Sequence, residues 1–156
     1  MRECILILDN IRSVENTGSI FRTADCLGVS RIILVGTTPT PIDRFGRKRK
    51  DFIKVSLGAE EFVKWEYIDK IQSTINNFKK EGYKIIALEQ DKKSIKLKSL
   101  KVKSLEKFAL VVGNEVEGIS KSFLNKCDEI IEIPMRGQKE SMNVSVATGI
   151  ALFNLI

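Results

Sequence analysis

The chain has 156 residues, 43% of them hydrophobic, and carries Lys+Arg 26 against Asp+Glu 20 for a net +6. That length suits one domain, residues 1–156, with a core of its own, and the basic balance points to a polyanionic partner. The absence of histidine excludes Ser-His-Asp and Cys-His catalysis and nearly all zinc sites. Cys4, Cys26 and Cys127 lack CxxC spacing, so no metal is expected; with no leader pattern and no membrane-length apolar run, neither is a membrane partner, and the expected compartment is a reducing cytoplasm.

In chain order, Cys4 to Leu8 (CILIL) is a short apolar run of the kind covered on both faces of a parallel sheet. Asn16 can cap a helix over Thr17 to Leu27, closed by Gly28, and Arg31 to Val35 is a second buried strand. Strand, helix and strand with short links read as a βαβ unit, so a largely parallel sheet flanked by helices is expected.

Gly36 to Ser56 reads as a long loop, broken by Pro39 and Pro41 and then strongly basic. Arg44, Arg47, Lys48, Arg49, Lys50 and Lys54 have only Asp43 and Asp51 against them within the run, a pattern suited to binding the phosphates of a polyanion. Leu57 to Val63 follows as a short helix, Trp65 to Tyr67 as a small strand, Lys70 to Lys80 as an amphipathic helix and Tyr83 to Leu88 as a strand. The lysine-rich segment from Lys92 to Lys107 reads as loop with one edge strand, and Phe108 to Val112 as a further buried strand. Ser120 caps a helix to Lys126, and Glu129 to Ile133 is a last strand, which Pro134 ends. Ser141 and Asn143 are both good caps for a final helix, Val144 to Ile156. Strand, loop and helix start in succession make a common ligand site in α/β proteins.

Gly113 to Ser120 (GNEVEGIS) resembles a phosphate-binding loop but lacks its lysine, and Glu115 and Glu117 would repel phosphate. No GxGxxG follows any strand, which disfavours an ordinary dinucleotide site. The turn does suit hydroxyls or a cationic ligand at the carboxyl end of a strand.

Three segments, NTGSIFRTA from Asn16, LVVGNEVEGIS up to Ser120, and IPMRGQKESMNVSVATGIALF from Ile133, resemble in order and spacing the motifs of the SpoU/TrmH family. That family comprises RNA ribose 2′-O-methyltransferases of the SPOUT superfamily. Met142 stands where the family usually has leucine, and no separate N-terminal RNA-binding domain of the kind many relatives carry is evident. The resemblance implies a C-terminal trefoil knot, a homodimer, and S-adenosylmethionine held by loops around Leu88, Gly113, Ile133 and Met142. Gly113 would let backbone approach the ligand, while Leu88, Ile133 and Met142 could sandwich its adenine. The substrate implied is tRNA or rRNA. Arg22 is placed at the centre of methyl transfer, with Asn16, Glu115, Ser141 and Asn143 around it. A guanidinium does not give up its proton in proteins, so gripping the neighbouring phosphate and stabilising the developing alkoxide suits Arg22 better than acting as a base. An RNA-binding module of the same fold without activity, or another nucleotide-using enzyme, would be the alternatives.

Overall fold

A computed structural model describes residues 2–156. In it a seven-stranded sheet runs in the order β3-β2-β1-β6-β4-β7-β5, with all pairings parallel. The strands are β1 Glu3–Asp9, β2 Arg31–Val35, β3 Trp65–Ile68, β4 Lys84–Leu88, β5 Ile95–Lys96, β6 Lys107–Gly113 and β7 Glu129–Glu132. The helices are α1 Val14–Leu27, α2 Lys50–Ser56, α3 Gln72–Lys80, α4 Lys121–Leu124 and α5 Val144–Leu155.

The alternation of side chains along the central strands sorts the core into two layers. Leu6, Leu8, Phe108, Leu110 and Val112 face α1, α2 and α5, whose Ile20, Phe21, Phe52 and Leu152 are fully buried there. Ile5, Ile7, Ala109 and Val111 face the other way, onto Ile75 and Phe78 of α3 and Phe123 and Leu124 beside them on α4. The parallel register then decides where the loops emerge. Asp9 lies opposite Gly113, and Leu88 opposite both Val112 and Ile131, so β1, β6, β4 and β7 end on one edge of the sheet. The chain leaving β1 turns to one face and the chain leaving β6 to the other. That divergence opens a crevice, where open parallel sheets hold ligands.

The sequence expectations need local correction. Helix α1 starts three residues earlier than Asn16 would have it, because the Ser13 side chain accepts the Asn16 N–H at 3.1 Å and takes the capping role. The last third of the expected long loop is helix α2, without a side-chain cap but held by burial of Phe52 against Phe21, with ring centroids 5.2 Å apart. The expected helix from Leu57 to Val63 shrinks to a 3₁₀ turn, Ala59–Glu61, after Leu57 enters the left-handed region at φ 52. The lysine-rich segment does supply one short edge strand, β5, followed by two 3₁₀ turns.

Gly18 lets α2 lie against α1. A Cβ there would stand 3.0 Å from the Val55 Cβ and 3.3 Å from the Phe52 carbonyl oxygen. Gly18→Val should therefore overpack this seam, at a cost of about 2 kcal/mol and a melting temperature lower by roughly 4–8 °C. An unchanged melting temperature would show that the two helices separate freely.

Candidate active site

The loops leaving β4, β6 and β7 enclose a cleft of about 580 Å³, closed on its remaining side by Asn16 of α1 and the first turn of α5. Leu88, Gly113, Ile133, Met142, Asn16, Glu115, Ser141 and Asn143 all line it. Residues far apart in the chain thus converge because their strands run parallel and end together.

One hydrogen-bond chain joins the three segments. Glu115 accepts from the backbone N–H of Arg12 at 3.1 Å and of Ser13 at 3.3 Å, and from the Asn16 amide at 3.1 Å. The Asn16 side-chain oxygen in turn accepts from the Asn143 amide at 3.0 Å. Asn143 then spends its own oxygen on the Ser145 N–H at 2.9 Å, capping α5. Of the two candidate caps, Asn143 fills the position; Ser141 is exposed and makes no hydrogen bond among the described residues, so its hydroxyl is free at the cleft. Burial pushes the Glu115 carboxyl up, but the Asn16 amide, its own backbone N–H and those of Arg12 and Ser13 outweigh this and hold it below the ordinary carboxylate range. Glu115 is therefore an ionised anchor whose lone pairs are largely engaged, a poor arrangement for a base.

Sequence reasoning missed a second brace. Glu89, the first residue after β4, accepts the Ile119 N–H at 2.9 Å, and Gln90 donates to the Glu140 carbonyl at 2.9 Å. These contacts tie the β4 loop to the other two walls. The available signal was positional: both residues follow directly on a strand that ends at the ligand edge. Gly113 has a packing role besides lining the cleft. A Cβ there would stand 2.6 Å from Ile119 Cγ1 and 2.7 Å from the Gly118 carbonyl carbon, so the missing side chain makes room for the returning turn.

The walls are apolar where Leu88, Ile133, Met142 and Val144 meet, and acidic where Glu89, Glu115, Glu117 and Glu132 enter. A flat apolar group with a positively charged extension fits this lining, whereas nucleotide phosphates would meet repulsion. Among the described residues no group of three His, Cys, Asp or Glu side chains is placed to hold a metal ion.

Arg22 does not line the cleft; it is exposed and makes no hydrogen bond or ion pair among the described residues. The geometry of a helix explains this: six residues beyond Asn16, it points about 120° away and lies about 9 Å further along the axis. The basic residues lie elsewhere as well, on the turn before α2 and on α2 itself. Arg47 pairs with Asp43, Arg49 with Asp51, and Lys48 with Glu61, which is remote in sequence from the basic run. Arg44, Lys50 and Lys54 are exposed and make no ion pair among the described residues.

A parallel α/β domain with a cleft at the strand ends, lined by three converging loops, is a recognisable class of ligand-binding fold. The chain belongs to the SpoU rRNA Methylase family, whose model matches residues 3–153. It is 32% identical over 155 residues to the tRNA (guanosine(18)-2'-O)-methyltransferase of Aquifex aeolicus, covering 97% of this chain and 68% of that one. It is 34% identical over 152 residues to the 23S rRNA (guanosine-2'-O-)-methyltransferase RlmB of Escherichia coli, covering 97% and 59%. Among solved structures it superposes on the AdoMet-bound rRNA methyltransferase from Sinorhizobium meliloti with a TM-score of 0.85 and 27% identity, over 98% of this chain and 55% of that one. The TrmH/SpoU tRNA modifying enzyme of A. aeolicus superposes with a TM-score of 0.83 and 31% identity, over 99% and 74%. The chain spans about three fifths to two thirds of the length of the curated relatives it matches.

The depressed Glu115 carboxyl fixes the sign of a pH effect. Its contribution to stability is complete above the unfolded carboxylate value, near 4.3, and is lost as pH falls through the lower folded value. Between about pH 6 and pH 3, Glu115→Gln should therefore lose less stability than the wild-type chain in thermal unfolding. Identical losses would mean that Glu115 carries no such linkage.

Proposed function

We propose that this domain transfers a methyl group from S-adenosylmethionine to a ribose 2′-hydroxyl in RNA of the tRNA or rRNA class. The observation that carries this reading is the cleft itself, where all three motif segments meet and Asn16, Glu115 and Asn143 are joined by hydrogen bonds. The names of the Aquifex and E. coli relatives and the AdoMet-bound Sinorhizobium structure support it.

The lining suits the cofactor's chemistry. Leu88, Ile133, Met142 and Val144 would flank the adenine, and the acidic rim would favour a cation. When bound, S-adenosylmethionine supplies a methyl group on a positively charged sulfur. The residues of this chain then have the task of alignment, since in-line displacement depends on holding the ribose oxygen behind the methyl carbon. Ser141, with its free hydroxyl, and the remaining N–H of the Asn16 and Asn143 amides would orient that ribose. The knot expected of this fold would thread the segment after β7 past the β4–β6 connection, consistent with the Gln90–Glu140 contact.

A homodimer completes the reading. Helix α5 is apolar along most of its length, and Val146 and Phe153 are 52% and 76% exposed. Such a helix calls for cover, and a second copy across α5 and the neighbouring α1 would supply it. The same docking would give Arg22, exposed on α1, a cleft to serve in the partner, where its forked guanidinium could grip a phosphate and face the ribose oxygen.

In single-turnover assays with saturating RNA, Arg22→Ala and Arg22→Lys should transfer methyl groups at least about a hundredfold more slowly than wild type, with S-adenosylmethionine affinity by calorimetry unchanged. Near-normal turnover by Arg22→Lys would defeat the oriented-fork role. Failure of the wild-type chain to bind S-adenosylmethionine, with or without RNA, would defeat the enzyme itself.

Ion pairing ranks the basic residues. Serine substitutions at Arg44, Lys50 and Lys54 should flatten the dependence of log affinity for RNA on log salt by about 0.7–0.9 for each phosphate no longer neutralised. The same change at Arg47, Lys48 and Arg49, already paired with acids, should flatten it less. Equal slopes for the two triple variants would show that the ion pairs do not matter.

A further inference from the structure

The turn before α2 displays an aromatic side chain that the core does not use. Phe45 is 66% exposed, while its neighbours Arg44 and Arg47 hold their guanidinium carbons 4.8 and 5.0 Å from the ring centroid. The turn is built rather than loose. Asp43 accepts from the backbone N–H of Phe45 at 2.8 Å and of Arg47 at 3.0 Å, and from the Arg47 Nε at 2.8 Å. The Asp43 N–H donates to the Arg47 carbonyl at 2.8 Å, and Ile42 and Lys48 form an antiparallel bridge at the base. Those backbone bonds hold the Asp43 carboxyl below its ordinary range, so it stays ionised as the centre of the turn.

Leaving a phenylalanine in water forgoes the gain of burying it, and neither packing nor capping accounts for it here. We propose that Phe45, with Arg44 and Arg47, forms a stacking platform for one unpaired base of the RNA substrate. The reading rests on the proposed RNA methyltransferase activity and adds the conformation of RNA that the domain selects. An aromatic face accepts any base, and guanidinium planes stack on bases as well. Arg47 spends its Nε on Asp43 and so fixes the turn against the ring. Arg44, exposed and without an ion pair among the described residues, is free for the phosphate beside the stacked base. A fully paired helix presents no free base face, so the platform distinguishes loops and single strands from duplex. The basic surroundings at Lys48, Arg49, Lys50 and Lys54 favour a nucleic acid over an apolar peptide as the occupant.

The test compares Phe45→Leu and Phe45→Trp with the wild-type full chain. Fluorescence anisotropy would read binding to a labelled RNA hairpin with an unpaired loop and to a perfectly paired RNA duplex of equal length, with calorimetry on S-adenosylmethionine as control. Leucine keeps the apolar bulk and removes the aromatic face. Phe45→Leu should weaken binding of the loop RNA by about 5- to 150-fold, leave duplex binding unaltered, and spare cofactor affinity. Phe45→Trp should bind the loop RNA at least as well as wild type. Equal affinity of wild type and Phe45→Leu for the loop RNA would overturn the platform while leaving the methyltransferase reading intact. An equal loss on loop and duplex would also overturn it, as damage to the turn. No binding of either RNA by the wild-type chain would overturn both readings.

Discussion

The site depends on one carboxylate and two amides. Glu115 draws in the backbone that precedes α1 and the Asn16 side chain, and Asn16 passes the connection to Asn143 at the start of α5. Without that chain, the backbone before α1, the β6 loop and the start of α5 would lose their shared anchor, leaving the Glu89 and Gln90 contacts to tie the cleft walls together. Glu115 is largely exposed, so its value is not buried charge; it is the number of donors that a single ionised acceptor gathers. The capping of α5 by Asn143 extends the same chain into a helix whose position forms a wall of the cleft.

Charge is partitioned between the two functional surfaces. The cleft is rimmed by Glu89, Glu115, Glu117 and Glu132, while the turn before α2 and α2 itself carry Arg44, Lys50 and Lys54 without ion pairs among the described residues. The acidic cleft and the basic turn thus lie on different parts of the molecule, with α1 between them, packed on α2 at one flank and on α5 at the other. Gly18 sets the first of these contacts, and Gly149, whose Cβ would meet Thr23 Cγ2 at 3.5 Å, lies in the second.

The parallel sheet could be read from the sequence because its strands are continuous apolar runs, a pattern forced by burial on both faces. Most cleft residues could be read because three motifs carried them, and Leu88 because the family resemblance implied it: Leu88, Gly113, Ile133 and Met142 do share one cavity with Asn16, Glu115, Ser141 and Asn143. What could not be read were the consequences of competition between neighbours. Ser13 rather than Asn16 caps α1, which frees Asn16 to reach Glu115, and no local propensity separates the two residues. Helix α2 was hidden under its charges, since Phe52 and Ser56 alone are buried along it and tertiary packing supplies the rest. The Lys48–Glu61 pair joins residues too far apart for the composition of the loop to show it. Arg22 illustrates a further limit: a motif can name a residue that the fold does not bring into the cleft with its companions.

Glu115, Asn16 and Asn143 shape the cleft as one unit. A double-mutant cycle on S-adenosylmethionine affinity, using Glu115→Gln, Asn143→Ala and the pair, tests it most directly, because Glu115 and Asn143 share no hydrogen bond and meet only through Asn16. The cycle should give a coupling energy of about 0.5–3 kcal/mol between them. Strict additivity would contradict it, since two independent contacts would then suffice to describe the site.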